Sequence, residues 1–265
     1  MRLWNSGTCP YAQRAWLALL EKDVEFEHKI VDLQNKPEDF VALYASLHPD
    51  PTARAKVPIL EHCTDLSPSS SSSSPYNVQL IESSVCAEYI AEAFPNSQGS
   101  PLLPSLPRDK AVMRLLGEMW TASGMGNYFP LLLAGQAGKE GEEAHAVELE
   151  KMRKGMKLMD AFLRQYGCDV KESPFLLKSG FCLGEVCLAP FVQRLLIVVP
   201  HWAGVDLLEM AEKGGWTRLR VWMEAMAGRE STVKSGGTKE ETIKNYTRLL
   251  AMMKGGGGGA TATTK

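Results

Sequence analysis

The segment Thr8-Cys9-Pro10-Tyr11-Ala12-Gln13-Arg14 concentrates more reactive chemistry than any other stretch of this chain. A strand candidate over residues 2–6 ends at Gly7 and Thr8, and helical spacing begins at Pro10. Cys9 therefore stands where a strand turns into a helix, with proline at the first helical position. There the free backbone N–H groups and the positive end of the helix dipole favour a thiolate, the form in which cysteine is a nucleophile. The competing reading is an inert cysteine packed among apolar side chains; the proline and the strand-to-helix turn argue against it. Three more features have the chemistry of a ligand site. Lys36, in Asp32-Leu33-Gln34-Asn35-Lys36-Pro37, is a cation just past the second strand candidate. Val57-Pro58 opens the third strand, and a cis bond there would turn the Val57 peptide groups outward to pair with an extended peptide. Glu82-Ser83 opens a helix, where a side chain and free N–H groups can hold a carboxylate and an amine.

Taken singly, these are also what a solvated lysine, a turn proline and a helix cap look like. In this order they suit a short peptide bearing an ammonium, two carboxylates and a thiol, which is the chemistry of glutathione. Cys9 has no second cysteine in its motif, so it cannot resolve a mixed disulfide by itself. An external thiol must release the adduct.

The strands and helices around these residues fall into two patterns. Residues 2–94 alternate strand and helix signals. Ala12, Trp16, Leu19 and Leu20 share a helical face, and Phe26 and Ile30 are expected to share the inner face of a strand over residues 25–33. A helix led by Pro37 carries Phe40, Leu43, Tyr44 and Leu47. Strands at 57–62 and 77–81 run into a helix with Cys86, Tyr89, Ile90, Ala93 and Phe94 on one side. Between those strands, residues 67–75 are all Ser or Pro, a low-complexity insert (63–77 with its flanks) expected to be disordered. Residues 96–107 have linker composition. After them every apolar stripe is helical: Leu149, Met152, Met156, Met159 and Leu163; Leu188, Phe191, Val192, Leu195 and Val199; Leu219, Trp222, Met223 and Met226; Ile243, Tyr246, Leu250 and Met253. They read as the core of a helical bundle. The expected division is 1–95, linker 96–107, helical domain 108–254 and a glycine-rich tail at 255–265.

Composition narrows the function classes. The chain has 265 residues, is 45% hydrophobic and 23% charged, and carries a net charge of −2. That balance offers no basic surface for a phosphate backbone, so no nucleic-acid partner is expected. The six cysteines are scattered, with neither a CxxC pair nor metal-ligand spacing. No metal is expected, and a reducing compartment is. No targeting signal is visible at the start, and apolar runs such as 195–200 are too short to span a bilayer. A soluble, cytoplasmic protein is the expectation.

Cys-Pro-Tyr-Ala resembles the glutaredoxin motif with its second cysteine lost. The wider set resembles cysteine-type cytosolic glutathione transferases, above all the omega and lambda classes. The matching pieces are the Cys9 segment, Asp32 to Pro37, Lys56-Val57-Pro58-Ile59-Leu60-Glu61-His62, Glu82-Ser83 and Glu88-Tyr89-Ile90, continuing through Leu102-Leu103-Pro104, Leu188-Ala189-Pro190-Phe191 and Val221-Trp222-Met223. The resemblance implies the glutathione transferase fold, an α/β thioredoxin-like N-terminal domain plus an all-α C-terminal domain, active as monomer or homodimer. It also implies roles. Cys9 forms a mixed disulfide with glutathione, Lys36 meets its glycine carboxylate, Val57 before Pro58 pairs with its cysteinyl backbone, and Glu82 and Ser83 hold its γ-glutamyl end. Tyr11, Tyr128 and Trp222 line a pocket for small electrophilic or disulfide substrates. The implied activity is thiol transfer, deglutathionylation and dehydroascorbate reduction; a non-catalytic carrier of glutathione conjugates or small ligands is the alternative, and a chloride-channel-like protein ranks behind both. The chain departs from the pattern in a longer loop at 48–55, in the serine insert, and in Cys182 and Glu185 where the sixth helix of the family has a hydroxyl residue and Asp.

Overall fold

The computed structural model describes residues 1–64, 76–95 and 97–255; the serine and proline stretch at 67–75 and residues 256–265 of the expected tail lie outside the described residues. The first elements are β1 (Arg2–Asn5), α1 (Pro10–Glu21), β2 (Glu27–Ile30), α2 (Glu38–Leu47), β3 (Ile59–His62), β4 (Val78–Ile81) and α3 (Ser83–Ala93). The strands form one mixed sheet in the order β2-β1-β3-β4. β1 runs parallel to β2 and antiparallel to β3, and β3 antiparallel to β4.

Alternation along the strands splits the interior in two. Leu3 and Leu60 face the large core that includes α1, α3 and the later helices, while Trp4 and Ile59 face a smaller core with Phe40 and Tyr44 of α2. The expected inner face of the second strand holds only in part. Phe26 packs on the large core, but Ile30 is 65% exposed. β2 is the edge strand and Ile30 its last residue, so the inner face has run out of packing partners there.

The rest is helical among the described residues, as the stripes predict: α4 (Pro107–Ser123), α5 (Phe129–Gln136), α6 (Glu142–Tyr166), α7 (Leu183–Ala203), α8 (Leu207–Lys213), α9 (Thr217–Gly228), α10 (Glu230–Ser235) and α11 (Lys239–Gly255). α7 is longer and more apolar than the separate runs suggest. By length and a mean hydropathy of 1.6 it would cross a bilayer, yet it carries Pro190 and Pro200 inside it and most of its surface is packed in the core. Its start is held by a capping box between Cys182 and Glu185. The Glu185 carboxylate, fully buried, accepts from the Cys182 N–H (3.0 Å), the Cys182 thiol (2.8 Å), the Leu176 N–H (2.7 Å) and the Trp222 indole (3.2 Å).

α1 is enclosed on nearly every side, and Ala12, Ala15 and Ala18 let its neighbours approach closely. It ties the sheet to the helices at both ends. Near its start Gln13 donates to Ser235 Oγ (3.0 Å) and Arg14 to the Cys187 carbonyl (2.8 Å). At its end, buried Glu21 takes a two-pronged ion pair from Arg229 (2.6 Å each) and a hydrogen bond from Ser231. Burial alone would raise the Glu21 carboxyl, but the bonds from Arg229 and Ser231 outweigh it and hold the group below its ordinary value. A carboxyl depressed on folding stabilises the protein above the ordinary carboxylate range, and that contribution disappears as pH falls through the folded-state value. Glu21→Gln is therefore expected to lose about 1–3 kcal/mol at about pH 7 and to lose less than the parent does on acidification to about pH 3. Urea midpoints at the two pH values check this; parallel losses would contradict it.

Candidate active site

The sheet topology brings the candidate residues to one edge. β1, β2 and β4 run in one direction and β3 in the other, with Asn5 opposite Ile30, Trp4 opposite Ile59, and Ile59 opposite Ile81. The ends of β1, β2 and β4 and the start of β3 thus share one rim. Cys9 follows β1, Lys36 follows β2, Glu82 and Ser83 follow β4, and Val57 precedes β3. The small core agrees: Ala55 and Val57 belong to it, and Cys9, Leu33 and Ile81 pack against it, so each of the four connections sends at least one residue to the same cluster.

Cys9 is the N-cap of α1, extended at φ −92° and ψ 116°, with no side chain capping the helix and Pro10 directly after it. Its carbonyl accepts the Gln13 N–H at 3.1 Å, the first turn of the helix. The thiol is partly exposed and unpaired with any other cysteine. Lys36 donates to the Ala55 carbonyl at 2.7 Å, tethering its loop to the approach to Val57. Burial, with a smaller effect from Arg54, pushes the Lys36 ammonium below its ordinary value, and an arriving carboxylate would relieve that penalty. The Val57–Pro58 bond is cis, and Val57 lies just outside the register of the ladders that β3 makes. Glu82 precedes α3 at φ 69° and ψ 117°, a sparsely populated conformation for a residue with a side chain. No side chain caps α3, so its first N–H groups have no side-chain acceptor, and Ser83 Oγ accepts from Arg14 at 3.3 Å.

The aromatic residues expected to line a second pocket separate. Tyr11, 45% exposed, packs edge-on against Phe191 with the Arg14 guanidinium over both rings. Trp222 is sealed in the core, its indole spent on Glu185, so it does not line a pocket. Tyr128 is also enclosed, its hydroxyl bonded to that of Tyr246. Helical spacing identified Trp222 as inward-facing, and the family resemblance put Tyr128 in the pocket; both face the bundle core rather than the cleft. The residue that does face open space is Tyr246, which lines a cavity of about 230 Å³ with Thr8 next to Cys9, Arg194 of α7, and Ser235 and Asn245. Arg194 was not singled out from the sequence. A lone charge within the apolar stripe from Leu188 to Val199 was the available signal.

Residues 8–93 match the family described as glutathione S-transferase, N-terminal domain. The rice (Oryza sativa subsp. japonica) protein named probable glutathione S-transferase DHAR1, cytosolic, is 24% identical over 91% of this chain and 89% of its own length. Pig (Sus scrofa) glutathione S-transferase omega-1 is 27% identical over 85% of this chain and 76% of its own. The crystal structure of glutathione transferase Omega 3C from Trametes versicolor superposes with a TM-score of 0.67 at 21% identity, covering 95% of this chain and 91% of that one. The chain has the glutathione transferase fold, and its residues 8–93 match the glutathione S-transferase N-terminal domain. Within that fold class the chain is similar to omega-class and DHAR members, the resemblance first read from the Cys9 and Val57-Pro58 segments.

Proposed function

We propose that this protein is a glutathione-dependent thiol transferase and reductase that works through Cys9. The Cys9 thiolate attacks the glutathionyl sulfur of a mixed disulfide R–S–SG. The sulfur–sulfur bond breaks, its electron pair leaves with R–S⁻, which takes up a proton, and Cys9–S–SG remains. A second glutathione thiolate then attacks the glutathionyl sulfur, forming oxidised glutathione and returning Cys9 as thiolate. Dehydroascorbate reduction has the same balance: two glutathiones become one disulfide, and their two electrons and two protons pass to the substrate. Lys36 would hold the glycine carboxylate, Val57 the cysteinyl backbone, and Glu82 with Ser83 the γ-glutamyl end, while Tyr11 would flank the second substrate.

The observation that carries this reading is that four separate connections share one sheet rim and one small core with a partly exposed N-cap thiol that makes no side-chain cap bond. A cytosolic setting suits it, because all six cysteines are free and the rice relative's name states that location. Conjugation to aryl electrophiles should be slow, since a hydroxyl donor that activates the glutathione thiolate is replaced here by a thiol that bonds to it. Rates measured side by side for disulfide reduction, dehydroascorbate reduction and aryl conjugation test the reading; conjugation exceeding both reductions would overturn it. Lys36→Ala should raise KM for glutathione about 10-fold or more, the worth of one charge-assisted contact, with kcat changed little. An unchanged KM would remove Lys36 from the binding site.

A further inference from the structure

The cavity lined by Gly7 and Thr8, the two residues before Cys9, contains a cation that no side chain of the described residues neutralises. Arg194 sits on α7 with 3% of its surface exposed. One terminal nitrogen, Nη1, donates to Gln13 Oε1 at 2.5 Å and to the Pro190 carbonyl at 2.8 Å. Its Nε and Nη2 have no hydrogen-bond partner, and no carboxylate pairs with it, among the described residues. Neither nitrogen is among the sealed, unsatisfied atoms, and the side chain lines the cavity. A buried guanidinium is costly unless an anion meets it, and its planar fork matches a carboxylate with two parallel N–H bonds. Burial accordingly pushes the guanidinium below its ordinary value, with Tyr246, Tyr128 and Cys9 as the groups acting the other way.

We infer that Arg194 is a specificity-determining residue that receives the carboxylate of a small substrate while the substrate's reacting sulfur or carbonyl faces Cys9. This deepens the thiol-transfer reading and rests on it. The cavity, about 230 Å³, is smaller than the roughly 300–1,000 Å³ of pockets that enclose drug-sized ligands, so it suits a compact acid rather than a second tripeptide. Glu241 also lines the cavity, its carboxylate accepting the Thr238 N–H at 2.8 Å. That negative group favours a monoanion over a phosphate dianion. Asn245 and Tyr246 add neutral polar side chains to the lining.

The test compares two isosteric substrates, the glutathione mixed disulfides of mercaptoacetate and of mercaptoacetamide, which differ in one charge. The parent should favour the acid in kcat/KM by about 10-fold or more, through KM. Arg194→Met should bring the two within about twofold of each other, and Arg194→Lys should retain part of the preference. General damage to the fold slows both substrates alike and leaves their ratio unmoved, so the ratio separates recognition from structural support. Equal kcat/KM for the two substrates in the parent would overturn the assignment even if Arg194→Met fails to fold, and a preference surviving in Arg194→Met would overturn it as well. If the parent turns over neither, the thiol-transfer reading fails, and this assignment falls with it.

Discussion

Cys9→Ser is expected to lower glutathione-dependent disulfide reduction by about a thousand-fold or more while leaving the fold intact. The chemical loss is complete in kind: a serine hydroxyl at neutral pH is not ionised and forms no mixed disulfide, so both half-reactions vanish. The fold should survive because the substitution is nearly isosteric at a helix N-cap, where serine outranks most residues. Cys9 makes no side-chain cap bond, so a hydroxyl there can only add one. The melting temperature of the variant should equal or slightly exceed that of the parent. The hydroxyl can also donate to a bound glutathione thiolate, so aryl conjugation should rise from its low base. Undiminished disulfide reduction in this variant would place the chemistry elsewhere.

Glu185→Ala is expected to destabilise the protein by about 3–5 kcal/mol. One buried carboxylate satisfies four donors from three places: the start of α7 at Cys182, the preceding Leu176, and Trp222 of α9. Alanine leaves those donors buried without acceptors and opens a void at the centre of the helical core. Glu185→Gln should cost less, because one oxygen persists, yet its amide hydrogens must then face donors. Denaturant midpoints measure both. A loss under about 1 kcal/mol for Glu185→Ala would mean that the core relaxes around the site or that water replaces the carboxylate. A cysteine in the capping position is expected to make this helix start weaker than a hydroxyl would. Glu185 offsets that by bonding both the backbone and the side chain of Cys182.

Much of the rim was legible because it depends on local signals. A cysteine before a proline at a strand end, a Val-Pro pair opening a strand and a Glu-Ser pair opening a helix each fix their own backbone setting. The strand order then carries them to one edge. Long-range packing was less legible. Periodicity says that Trp222 faces inward, but it does not distinguish core from cleft, and Trp222 lies in the core, as does Tyr128. Phe26 and Ile30 share a strand face, but only the tertiary arrangement decides that cover ends before Ile30. Arg194 escaped notice for a related reason. Its neighbours Gln13, Thr8 and Tyr246 come from distant parts of the chain, and spacing within one helix contains no trace of them.

The most direct measurement is intact and peptide-level mass spectrometry of the reduced protein after brief exposure to oxidised glutathione. The account predicts one glutathionyl group per chain, located on the peptide containing Cys9 and lost on addition of reduced glutathione. A Cys9 peptide that stays unmodified, or an adduct that forms elsewhere or resists release by glutathione, would contradict it.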